Sequence, residues 1–154
     1  MKITVIAPGK IKENWLREGI EEYKKRLRRY CEVDIIEVSD SPDSLPEETV
    51  KKQEGERILQ KIKDKDRVVL LDLGGVKLES VSFSRSLSEN FLEGGAEIIF
   101  VIGGSLGVSA EVKKRANQML CLSTMTFTHQ MARLLLLEQC YRAFRIERGE
   151  PYHK

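Results

Sequence analysis

The chain has 154 residues, 41% hydrophobic and 32% charged, with a net charge of +2. That composition excludes a wholly disordered chain and suits one domain, residues 1–154, with one core. The longest aliphatic and aromatic run, Ile98–Ile102, is far short of a membrane span.

Lys2–Ala7 reads as a strand, too short for a signal-peptide core. From Asn14, the residues Leu16, Ile20, Tyr23, Leu27 and Tyr30 recur at helical spacing and predict one apolar stripe. Residues 1–30 hold nine Lys/Arg against four Glu, and the cluster Lys24-Lys25-Arg26-Leu27-Arg28-Arg29 dominates them. Such a cluster is either a solvated helix face or a surface for nucleic acid. Val33–Val38 is a second expected strand, Ser39–Pro46 a loop, and Glu47–Lys63 a charged helix with Gly55 as its weak spot. Arg67–Leu73 is nearly unbroken apolar sequence, as in a strand covered on both faces. Gly74-Gly75 are expected to break the chain, and Ser80 to cap a helix carrying Phe83, Leu87 and Phe91.

Glu97–Ile102 predicts a further strand, and Ser109 a cap for the helix Ala110–Asn117. Met119–Ser123 reads as a last short strand. After the loop Thr124–Thr128, a long helix is expected from Gln130 to Glu147. Its first half is apolar almost all round apart from Arg133, which places it in a core or an interface. Strands and helices alternating at these lengths imply an α/β fold, a mostly parallel sheet with helices on both faces. The three cysteines, Cys31, Cys121 and Cys140, show no CxxC spacing, and there are only two histidines. No disulfide framework and no metal site are expected, and a reducing cytoplasmic setting follows.

In open α/β sheets, ligands bind beyond the carboxyl ends of strands. Three expected strands end in Leu71–Gly75, Ile102–Gly107 and Leu122–Thr128, and seven of the eleven glycines lie between positions 74 and 107. Glycine lets a ligand approach the main chain closely, so these loops are expected to surround one pocket. Gly103–Ser109 and Ser123–Thr128 contain no Lys or Arg, and no Walker or complete dinucleotide pattern is present. A ligand with an adenosine but no phosphate chain fits best, with Leu71, Leu106, Leu122 and Met125 as apolar walls.

The run Ile102-Gly-Gly-Ser-Leu-Gly107, the segment Leu122–Gln130, and Glu138-Gln-x-Tyr-Arg-Ala-x-x-Ile146 followed by Pro151-Tyr-His-Lys154 carry a resemblance over the whole chain. It resembles the RlmH family, small bacterial SPOUT methyltransferases that methylate N3 of a pseudouridine in 23S ribosomal RNA. The resemblance implies an α/β-knot fold with a C-terminal trefoil knot, a homodimer, and action on assembled ribosomes. It implies S-adenosylmethionine as cofactor, held by Leu71, Gly103, Leu122, Ser123, Thr124, Met125, Thr126 and Phe127. It also gives substrate-side roles to His153 and Arg142. An imide N3 must lose its proton, so a base or an anion stabiliser is required. His153 as base, and Arg142 or Tyr152 as stabiliser or orienter, are the expected catalytic residues. His129 is read as a core or capping histidine, and Trp15 as core or rim. An ion pair from Glu138 to Arg142 and a dimer stripe of Leu137, Tyr141 and Phe144 complete the expectations.

Overall fold

A computed structural model describes all residues, 1–154. Its elements are β1 (Lys2–Pro8), α1 (Asn14–Leu27), β2 (Glu32–Val38), α2 (Glu47–Leu59), β3 (Val68–Lys77), α3 (Ser80–Glu93), β4 (Glu97–Ile102), α4 (Ala110–Arg115), β5 (Gln118–Cys121) and α5 (His129–Glu147). The five strands form one parallel sheet in the order β2-β1-β4-β3-β5. After β1 the chain moves to one side, to β2, and after β4 to the other, to β5. The neighbours β1 and β4 thus mark a topological switch point, where loops diverge and leave a crevice.

Alternation along the strands decides the two layers. Ile3, Val5 and Ala7 of β1 and Ile98, Phe100 and Ile102 of β4 face α1, α3 and α5. Ile6, Val101, Val68 and Leu70 face the other way, toward Ile58 of α2 and Val108 and Val112 beside and on α4. The stripe Leu16, Ile20 and Leu27 and the stripe Phe83, Leu87 and Phe91 are both buried, as their spacing requires. Each such side chain contributes about 1.5–3 kcal/mol by leaving water.

Several local expectations are corrected. β3 runs on to Lys77 through Gly74-Gly75. Leu71 and Val76 both sit opposite Leu120, so Asp72–Gly75 bulge out of the strand. The Asp72 carboxylate closes the bulge by accepting the Gly74 N–H at 2.9 Å. A Cβ on Gly75 would lie 2.6 Å from the Leu120 nitrogen, so backbone packing rather than chain breaking requires this glycine. Ser80 is the first helical residue and not the cap; its hydroxyl donates to Gln139 at 2.7 Å. Gly55 is no weak spot either: it lets α2 pass against Ser109, whose Oγ would be 2.4 Å from an added Cβ. α2 ends at Leu59 and β5 at Cys121, both short of their expected limits.

The stripe Leu137, Tyr141 and Phe144 is not an outer face. Leu137 and Phe144 are buried among α1 and α3, and Tyr141 packs beside them. Most of the apolar girth of α5 is used within its own chain, with Leu135 only partly covered. Arg133 is fully buried, the one charge in that apolar first half.

Candidate functional site

A cleft of about 920 Å³ opens at the carboxyl edge of the sheet. Four loops converge on it: the one after β1 with Glu13, the β3 bulge, Ile102–Val108 after β4, and Leu122–Thr128 after β5. The first turn of α5 and Trp15 of α1 complete its walls. Gly103 lies where the chain doubles back. An added Cβ would sit 2.8 Å from Val108 Cγ1 and 3.1 Å from the Gly107 carbonyl carbon. Gly107 itself has φ +88, the left-handed region that favours glycine. Ser123 Oγ accepts the Met125 N–H at 3.0 Å and holds the next loop in a tight turn.

None of the 22 lining residues is Lys or Arg, and Glu13 and Asp72 are the acidic ones. Lys113 reaches Asp72 only from outside the cleft, at 3.9 Å. A phosphate chain would find no cation here, whereas a positively charged ligand meets carboxylates. His129 begins α5 behind Thr128, which is the true cap and accepts the Met131 N–H at 3.1 Å. Burial first, then the charge of Arg133, pushes the His129 pKa down, so a neutral imidazole faces the cleft.

Arg133 anchors the loop after β1 from beneath. Its guanidinium donates to Glu37 at 2.8 Å and to the carbonyls of Pro8 and Gly9 at 2.9 and 3.1 Å. Glu37 accepts in turn the Ile11 N–H at 3.0 Å. A buried cation is tolerable only with such partners, and here they pin the wall that carries Glu13 and Trp15.

A second polar group gathers at the other end of α5. Glu138 accepts from Arg142 Nε at 3.1 Å and Nη2 at 2.5 Å. The Tyr152 hydroxyl donates to the same carboxylate at 3.2 Å and lies 3.1 Å from the Tyr23 hydroxyl. The Arg142 guanidinium covers the Tyr152 ring at 4.7 Å, and its Nη1 lies 3.2 Å from His153 Nδ1. Burial and the Tyr23 and Glu138 contacts raise the Tyr152 pKa, which keeps its phenol protonated. The tail is therefore tied down by named contacts, with the Pro151 carbonyl accepting from Arg145 at 2.8 Å.

Of the residues expected at the cofactor, Leu71, Gly103, Leu122, Ser123, Met125, Thr126 and Phe127 line the cleft; Thr124 does not, nor does Leu106. Arg142, Tyr152 and His153 come together, but away from that cleft. On α5 the cleft lining ends at Ala132, and Arg142 lies ten residues further on, about 15 Å along the axis. Sequence reasoning missed Glu13 and Asp72 and left Trp15 undecided; Trp15 is 57% exposed at the cleft. The available signal was Pro8-Gly9 closing the first strand, which marks a loop at the same sheet edge.

A family model described as "Predicted SPOUT methyltransferase" matches residues 1–153. "Ribosomal RNA large subunit methyltransferase H" of Acetivibrio thermocellus is 52% identical over 159 aligned positions, covering all of both chains. Proteins of the same name from Clostridium beijerinckii and Clostridium tetani are 53% and 50% identical, again over the full length of each. With the likeness running from end to end, and with a parallel sheet whose carboxyl edge opens into a glycine-walled cleft, the chain belongs to the SPOUT methyltransferase family.

Proposed function

We propose that this chain acts as a single-domain homodimer in the cytoplasm. It transfers a methyl group from S-adenosylmethionine to N3 of a pseudouridine in 23S ribosomal RNA of assembled ribosomes. The observation that carries this reading is the cleft: main-chain loops on three sides, two carboxylates and no cation in its lining. That donor set fits a cationic adenosine ligand without a phosphate chain. Leu71, Gly103, Leu122, Ser123, Met125, Thr126 and Phe127 would hold it, with Thr124 acting through the shape of its loop. The full-length likeness to proteins named as ribosomal RNA large subunit methyltransferases supports the substrate. The trefoil knot is carried over with the family.

Bound S-adenosylmethionine supplies a methyl on a sulfonium, so the transfer needs alignment more than covalent help. The chain's own residues then deal with the acceptor. Arg142, Tyr152 and His153 lie too far along α5 to serve the cleft of their own chain. A second copy that brings its tail to this cleft completes the site. An arginine has only donors, so His153 Nδ1 accepts from Arg142. The proton of a neutral His153 is then on Nε2. This arrangement favours His153 as a donor to a uracil oxygen that gathers charge as N3 loses its proton to water. Arg142 orients that imidazole and adds positive charge beside the same anion, while Tyr152, kept protonated, holds the Arg142 guanidinium over its ring.

The apolar surface left for the second copy is a groove of about 320 Å³ beside the cleft, walled by Leu78, Phe83, Leu120, Leu122, Phe127 and Leu135. The test is transfer of labelled methyl from S-adenosylmethionine to bacterial ribosomes, with the modified nucleotide located by mass spectrometry. Label at N3 of one 23S pseudouridine is expected. Label elsewhere, or none together with no cofactor binding, overturns the reading.

A further inference from the structure

The basic cluster Lys24–Arg29 lies at the end of α1, and the fold sets it against the end of α5. Arg26 covers Tyr23 at 5.0 Å and Tyr141 at 5.9 Å. Arg29 and Arg148, from the two helices, both lie on the Tyr30 ring, at 5.1 and 4.8 Å. Arg145 donates to the Tyr30 hydroxyl at 3.3 Å. Residues 24–29 and 142–154 thus form one surface, and the Tyr23–Tyr152 contact joins it to the tail.

Its charge departs from that of the molecule. Residues 21–30 and 138–154 hold nine Lys/Arg against five Glu, on a chain whose whole excess is +2. The rest of the chain is therefore slightly acidic. Lys24 and Arg26 pair with Glu21 and Glu22, but Lys25, Arg28 and Arg148 are exposed and form no ion pair. Glu22 is taken by Arg26 at i,i+4 and Glu21 by Lys24 at i,i+3, which leaves Lys25 free for an outside anion. Guanidinium groups held over aromatic rings are pre-organised for phosphates.

We propose that this α1–α5 pole is the surface on which ribosomal RNA docks, gripping phosphates beside the tail that reaches the target base. The inference rests on the ribosomal RNA reading above and names where recognition resides. In the two-copy arrangement, the pole of one copy flanks the cleft completed by its own tail. RNA drawn to the pole is thereby delivered to the reacting site.

The test uses the triple variant K25Q/R28Q/R148Q in the full-length protein. A control, K61Q/K63Q/K65Q, removes the same charge from exposed positions at the turn between α2 and β3. Binding to bacterial ribosomes and to free 23S RNA is measured against salt, alongside S-adenosylmethionine affinity. The pole variant should bind both RNA samples at least ~10-fold more weakly at moderate salt, with a log Kd against log salt slope smaller by about 2–3. The control should match the parent, and cofactor affinity should be unchanged in both. Equal losses in the two variants would reduce the effect to net charge and overturn the proposal. Loss on ribosomes with free RNA unaffected would assign the surface to a ribosomal protein, and a change from dimer to monomer would assign it to a second copy. Either outcome also overturns it. These binding arms do not need turnover: a parent that binds RNA through the pole without methylating it would refute the activity and leave the docking surface standing.

Discussion

Gly103 shows how little space a single position can hold. Its missing Cβ is what lets the loop after β4 fold back upon Val108. Gly103→Val should therefore push that loop into the cleft and weaken S-adenosylmethionine binding at least ~10-fold, about 1.4 kcal/mol, read by calorimetry. Parental affinity would remove Gly103 from the cofactor wall. His129 supplies a pH dependence. Its pKa in the folded chain lies below the usual 6.5, so below that pH the unfolded chain takes up the proton first. Its neutral form contributes stability that is full above pH 6.5 and declines as pH falls toward the folded value. His129→Gln should flatten the melting temperature against pH below pH 6.5. An unchanged slope would mean that the orphaned Nδ1 is solvated in practice.

The tail is the element on which the proposed chemistry bears most. Tyr152 packs edge-on against Tyr141 with ring centroids 4.8 Å apart, and its hydroxyl bridges α1 and α5. None of the fully buried side chains belongs to residues 152–154. Removing Tyr152, His153 and Lys154 should thus leave folding and cofactor affinity intact and lower methyl transfer to ribosomes by about 10²–10⁴-fold. Full activity would show the tail to be idle. The orientation of His153 has its own measurement. ¹⁵N NMR should find the ring proton of the neutral side chain on Nε2, because Arg142 occupies Nδ1. A proton on Nδ1 would free Nε2 and restore His153 as the base for N3.

For the whole molecule, the distance between cleft and tail is the decisive dimension. The two lie at opposite ends of α5, so one copy cannot join them. Leu135 borders the apolar groove between α3, β5 and α5, and is only partly covered within its own chain. Leu135→Glu places a charge where a second copy would press, and should convert a dimer to a monomer in sedimentation. Methyl transfer should fall with the dimer while the variant stays folded. A parent already monomeric at micromolar concentration would sink both the dimer and the shared site.

Hydrophobic periodicity alone determined the helical stripes of α1 and α3, the five strands and their alternation with helices, because burial imposes a period of 3.6 or 2 on any chain that folds this way. Glycine spacing and the missing cations in two loops likewise marked the cleft and excluded a phosphate-binding pattern. Strand order was not legible, since pairing partners are chosen by contacts distant in the chain; hence Glu13 and Trp15, in the loop after β1, went unassigned to the cleft. The continuation of β3 through Gly74-Gly75 was hidden for the same reason: whether a glycine pair ends a strand or admits a neighbouring backbone depends on what lies beside it, here Leu120. Local pattern could not tell a buried α5 from an interfacial one, because both demand apolar faces. Only tertiary packing placed Leu137 and Phe144 in the core, buried Arg133 under the loop after β1, and set Lys24–Arg29 against the end of α5.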